Sequence, residues 1–196
     1  MQAEELLKIL IDHALYQDSG GKEGAIAELH EVDLRGADLS GANLINANLR
    51  GSNLCGVDLS GAKLVGAKLC GADLSCTKLV GANLSDASLI RTDLSFANLH
   101  RANLNRANLR DANLRGSKLH DATLRYANLS RVNLGGAYLH RANLNCAKLN
   151  RAKLNDANLS GANLIDADLT NAKLNGANLD GTDLRNAKLP EIATSA

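Results

Sequence analysis

Aromatic side chains are almost missing from this chain of 196 residues, which has no Trp, 1 Phe and 3 Tyr. An ordinary core of that size draws much of its buried volume from aromatic rings. Their scarcity argues against a β-sandwich, a doubly wound sheet or a mixed core. Proline is equally rare, at 1 residue, and the formal net charge is only +1. Disorder does not fit either, because Leu is abundant and the charge is balanced. No run approaches 18 consecutive apolar residues, so no membrane-spanning helix is expected. The amino terminus, Met1-Gln2-Ala3-Glu4-Glu5, lacks the basic start of a secretory signal, and a cytoplasmic location is therefore expected. One long uniform element or a repeat array remains.

A repeat is present. From Leu34 to Leu189 every fifth residue is Leu, 32 in all, without a frame shift. Two positions before each Leu stands Ala in 24 units, and Val, Ser or Thr in the other eight. The position just before Leu holds Asn (14), Lys (8) or Asp (7), with Ser88, Thr123 and Tyr138 completing the set. Ala27-Glu28-Leu29 keeps the same frame one step earlier. The unit is Ala-(Asn/Asp/Lys)-Leu-x-x.

A period of five matches neither regular element. On an α-helix it advances each Leu by about 140°, which produces no stripe. On a straight strand it sends alternate leucines to opposite faces. All the leucines point inward only if the chain turns a corner in every unit. Ala and Leu then share the inner face, the residue between them points out, and the last two residues make the corner.

With this motif the sequence resembles the pentapeptide repeat family over about residues 27–190. The resemblance implies an all-β solenoid, a right-handed quadrilateral parallel β-helix with 20 residues per coil. About eight coils stacked at roughly 4.8 Å give a prism about 38 Å long. Glycine supports the 20-residue coil independently. Of the 13 units with Gly at the second corner position, ten fall on two of the four sides numbered from Leu34. Those glycine corners suggest positive φ, whereas Asp or Arg corners suit type I turns. Like residues on successive coils, such as Asn103, Asn143 and Asn163, are expected to form side-chain ladders.

Residues 1–31 break the pattern and read as a short α-helical cap, residues 32–190 as the β-helix and residues 191–196 as a tail. Leu6, Leu7, Leu10, Ile11, Ala14 and Leu15 recur at helical spacing, and residues 22–29 are consistent with a short second helix. Pro190 blocks extension of the ladder. The bare carboxyl end resembles the end through which some family members dimerise, so a monomer or a dimer through that end is expected. Cys55, Cys70, Cys76 and Cys146 form no C-x-x-C pair and read as reduced thiols; a Cys55–Cys76 bridge is geometrically marginal.

The near-zero net charge hides a division. Residues 1–31 carry two Lys against seven acids, a net of −5, and residues 32–190 carry 20 basic and 13 acidic residues, a net of +7. Between positions 91 and 151 the net reaches +8, with nine Arg, Lys118 and Lys148 against three Asp. Within this belt His100, His120 and His140 stand 20 apart and fall in one column of side 2. Asn98, Lys118 and Tyr138 lie beside it on one flank, and Arg101, Asp121 and Arg141 on the other. A polar ladder accounts for such a column, and so does the duplication of residues 100–105 at 140–145. A recognition patch accounts for it as well, since Tyr, Arg and His anchor interfaces. These nine residues are the candidate partner-binding set.

No thiolate or carboxylate cage completes a metal site around the histidines, and no metal or cofactor is expected. Nucleic-acid binding is disfavoured by the lack of interleaved aromatics. No nucleophile elbow, P-loop, zinc-helix or dinucleotide motif occurs, and a flat solenoid offers no deep pocket, so no catalytic residue is assigned. The expected function is a non-catalytic interaction or scaffold module for an unidentified protein partner. The alternatives are a purely structural role and the DNA-mimic protection of a type II topoisomerase known in the family. The latter depends on an acidic prism, and this prism is basic.

Overall fold

The computed structural model describes residues 1–190; the expected tail at 191–196 lies outside the described residues. One helix, α1 (Ala3–Asp18), precedes a four-sided solenoid. Parallel backbone pairs link residue i to i+20, from Glu28↔Asn48 through Asp168↔Lys188, and every paired residue is the one just before a Leu. The pairing period is therefore 20 residues, or four units. Each side is so short that a single residue pairs, and regularity comes from stacking rather than strand length.

The corners follow one rule. The Leu carbonyl accepts the N–H three residues on, as from Ala37 to Leu34 at 3.0 Å and from Ala102 to Leu99 at 2.9 Å. The second corner residue has positive φ at all 32 corners from Glu31 to Asn186, between 55° and 78°. That pairing of features marks type II geometry, and the expected division into glycine and non-glycine turn types does not occur. Arg101 (φ 55°), Asp121 (56°) and Phe96 (57°) adopt the same left-handed backbone as Gly41 (65°). An L-residue there costs on the order of 1 kcal/mol. Neighbouring coils hold the turn in place, since the strained residue donates its N–H to the next coil, as from Arg101 to His120 O at 3.0 Å.

The same corners explain the preference for Asn and Asp before Leu. Every one of the 14 Asn and 7 Asp at that position accepts, through Oδ1, the N–H of the residue two positions on. Side chains that mimic a turn in this way nucleate the corner. Ladders between coils are secondary: Asn103 donates to Asn83 and accepts from Thr123, and Asn133 donates to Asn113. Asn143 and Asn163 instead serve their own corners.

The interior is Leu and Ala, buried throughout the middle coils. Where Ser or Thr replaces Ala, its hydroxyl donates to a Leu carbonyl. Ser52, Thr77 and Ser117 reach the Leu three residues back at 2.7–2.8 Å, and Thr92 reaches Leu69 O on the preceding coil at 2.7 Å. A buried hydroxyl satisfied in this way avoids its desolvation penalty. At the carboxyl end Leu174, Leu179 and Leu184 are half-buried and Leu189 is exposed.

α1 packs Leu6, Ile9 and Leu10 against the first coil. Gln17 Nε2 donates to Ile45 O at 2.9 Å, and His13 Nδ1 accepts the Ala27 N–H at 3.1 Å. No second helix forms over residues 22–29. Ser19 Oγ accepts the N–H groups of Lys22 and Glu23, which reverses the chain. Gly24 then passes so close to the Asp12 carbonyl that any Cβ would collide with it. Glu28 already pairs with Asn48, so the solenoid begins there. Among the described residues no helix is long and apolar enough to cross a membrane.

Candidate functional site

The 20-residue register brings all nine candidate residues to one edge. Asn98, Lys118 and Tyr138 pair in series along side 2. The Arg101 N–H donates to His120 O at 3.0 Å and the Asp121 N–H to His140 O at 3.1 Å, which stacks the corner residues in the same order. The His120 ring lies 5.8 Å from that of Tyr138 and 6.3 Å from that of His140, centroid to centroid. His140 Nδ1 is 3.0 Å from Ser160 Oγ. Arg141 Nε sits 3.0 Å from Asp121 Oδ1.

The nine differ in what they have left to offer. Asn98 Oδ1 is occupied by the His100 N–H, so Asn98 builds the corner. Asp121 and Arg141 neutralise each other. Among the described residues neither Arg101 nor Lys118 joins an ion pair within 4 Å. Burial lowers the pKa of His120, and the neighbouring His140 and His100 lower it further. The His120 ring is therefore held towards its neutral form, on the same edge as Arg101 and Lys118. No group of three His, Cys, Asp or Glu side chains suits a metal ion among the described residues. The cysteines are free: Cys55 Sγ accepts from Ser75 Oγ at 3.2 Å, and Cys70 Sγ lies 3.0 Å from Ser88 Oγ.

Two surface features go beyond the sequence reading. The apolar positions of α1 divide: Leu6, Ile9 and Leu10 face the coil, whereas Leu7 (59 % exposed), Ile11 (58 %) and Leu15 (43 %) face solvent. A buried histidine, His13, takes an inward position among the apolar side chains of α1. The signal was there in the helical phase, since His13 lies on the same face as Leu6 and Leu10. The second feature is the corner following side 4, where arginines gather around Asp111.

His13 makes the docking of α1 pH-dependent. Its Nδ1 accepts a hydrogen bond, so the neutral ring carries its proton on Nε2, which is buried without a partner. Burial lowers its pKa from 6.5. Below that value the unfolded imidazole binds a proton that the folded one refuses, so this contribution to stability is complete above pH 6.5 and declines as the pH falls. Hydrogen exchange at the Ala27 amide is expected to quicken between pH 7.5 and 5 beyond the intrinsic chemical rate. His13→Gln should flatten that dependence, and an unchanged profile would refute the role given to His13.

Five segments of the chain, at 27–61, 37–75, 77–116, 117–156 and 152–189, match the family model "Pentapeptide repeats". A pentapeptide repeat protein, Rfr23 from the cyanobacterium Cyanothece, is 33 % identical with a TM-score of 0.55, over 57 % of this chain and 90 % of that one. HetL from Nostoc, a pentapeptide repeat protein involved in heterocyst differentiation regulation, is 32 % identical over 97 % of this chain and 98 % of its own, with a TM-score of 0.32. QnrB1, a plasmid-mediated fluoroquinolone resistance protein, is 21 % identical with a TM-score of 0.53 over 84 % of this chain and 92 % of its own. No curated protein matches. The family model and the likeness to Rfr23 and QnrB1 imply the right-handed quadrilateral β-helix.

Proposed function

The chain belongs to the pentapeptide repeat family, and on that footing we propose that it is an interaction module presenting rigid side-chain ladders to a protein partner. Members of the family are generally non-catalytic structural or interaction proteins. In this reading α1 lids the first of about eight coils, the module works in the cytoplasm, and it is a monomer or associates through its carboxyl end. The observation that carries the proposal is the edge formed by Arg101, Lys118, His120, Tyr138 and His140. There an aromatic cluster flanked by unpaired cations stands on a backbone that stacking has already ordered. Such an edge loses little conformational freedom on binding, which favours affinity, and Tyr and Arg are the residues that most often dominate interface energetics. Protection of a topoisomerase gains nothing from the likeness to QnrB1, which at 21 % identity concerns the fold alone.

Arg101→Glu combined with Tyr138→Ala tests the edge. Both side chains project outward, so the melting curve should scarcely move. Capture of the partner from the native host should fall at least about tenfold, the loss of one or two anchors. The same partners retained at the same yield by wild type and double variant would end the proposal.

A further inference from the structure

The strongest concentration of positive charge lies away from that edge, along the corner after side 4. Arg91 donates its N–H to Arg110 O at 3.1 Å, Asp111 to Ser130 O at 3.1 Å, and Arg131 to Asn150 O at 3.0 Å. The residues at 91, 111, 131 and 151 therefore form one column on successive coils. Asp111 sits among the arginines: Arg131 binds it through two bonds of 2.6 Å, and Arg110 Nε lies 3.5 Å away. Around the corner on side 1, Lys153 and Lys173 pair directly on consecutive coils. Like charges placed opposite one another weaken a ladder, as they do at Asp38↔Asp58 and Asp73↔Asp93, so this pair adds exposed positive charge here at some cost in stability. Asp111, Asp93 and Asp168 are the carboxylates that accompany six cations here, and the six cations are exposed. Asp168 stands opposite a further cation, Lys148, on side 4.

We propose that this corner is a docking ridge for an acidic α-helix of a partner protein. The column is straight and rises about 4.8 Å per coil, close to the 5.4 Å pitch of an α-helix. A helix with a stripe of carboxylates lying along the ridge therefore meets Arg91 at one end and Arg151, Lys153 and Lys173 three to four coils further on, with Arg110 and Arg131, which share Asp111, between them. Nucleic acid fits less well. A duplex strand winds away from a straight line, with one full turn in about 34–36 Å. Single strands bind by stacking on aromatics, and no residue of this corner, from Ile90 and Arg91 on one coil to Asn150 and Arg151 three coils on, is aromatic. Arg91, Arg151, Lys153 and Lys173 make no ion pair within 4 Å among the described residues, which leaves them free for a ligand. This surface is independent of the edge on side 2.

The test uses the full chain and two fluorescent helical peptides of identical composition. One carries its Glu residues in a single stripe, the other disperses them around the helix. Fluorescence anisotropy should show the striped peptide binding at least about tenfold more tightly, with affinity falling steeply as salt rises. Arg91→Glu with Arg151→Glu and Lys173→Glu should abolish that binding. The milder set Arg91→Gln, Arg151→Gln and Lys173→Gln should weaken it in proportion, in case charge reversal perturbs folding. Arg101→Glu with Tyr138→Ala should leave peptide binding untouched, which separates this surface from the other edge. Equal binding of the two peptides would overturn the proposal. So would binding that survives both variant sets, or a 20-base duplex that binds more tightly than the striped peptide.

Discussion

Leu104→Ala is expected to lower stability by about 2–5 kcal/mol, the cost of lost transfer free energy plus an unfilled cavity. Leu104 is fully buried, and the register Asn83↔Asn103↔Thr123 stacks it between Leu84 and Leu124. The coil cannot collapse onto the gap, because backbone bonds on both sides tie it to its neighbours: Leu104 N–H to Thr123 O at 2.7 Å, and Leu84 N–H to Asn103 O at 2.7 Å. Its outward neighbour sets the contrast. Asn103→Ala removes one corner bond and two ladder bonds from a part-exposed side chain and should cost nearer 1 kcal/mol. Denaturant titration of the two variants beside wild type reads the difference. Because each coil touches only its neighbours, part of the Leu104→Ala loss should appear as reduced cooperativity. Equal destabilisation by the two substitutions would contradict the assigned inside and outside.

The repeat made the architecture legible. The unbroken leucine frame excluded a straight helix and a straight strand, and the segregation of glycine already pointed to a coil of four units. The corners were legible only in part. Arg101, Phe96 and Tyr126 carry no local sign of left-handed backbone, since the conformation is imposed by stacking on the coils beside them. The prevalence of Asn and Asp before Leu was visible, but its cause, acceptance of an N–H two residues on, emerges only when the corner geometry is seen. At the amino end, the helix was readable while its orientation was not. Leu6 and Leu7 are equally apolar, and packing against the first coil decides which one is buried.

The candidate edge was legible as a column because His100, His120 and His140 share the period of the coil. What the sequence concealed was the pairing. Asp121 neutralises Arg141, so the free charge of the edge resides on Arg101 and Lys118. On the corner after side 4, Asp111 holds Arg131 while Arg91 and Arg151 stay free. Phe96 illustrates a subtler constraint. Its ring lies over Gly116 on the next coil, where a Cβ would sit 2.7 Å from the ring. Phe96 thus takes the space that a side chain at position 116 would need.

Both proposed surfaces, and every column of side chains on the prism, depend on the 20-residue register. Pairing of engineered cysteines tests it most directly. With Cys55, Cys70, Cys76 and Cys146 changed to Ser, Asn103→Cys and Thr123→Cys should form a disulfide under mild oxidant, because adjacent paired residues stand about 4.8 Å apart, within the span a disulfide bridges. Asn103→Cys with Asn128→Cys, separated by 25 residues and placed on different sides, should stay reduced. Intact mass and thiol labelling distinguish the outcomes. Efficient closure of the first pair alone is the predicted result, whereas closure of the second pair, or of neither, would contradict the four-sided coil on which the functional reading depends.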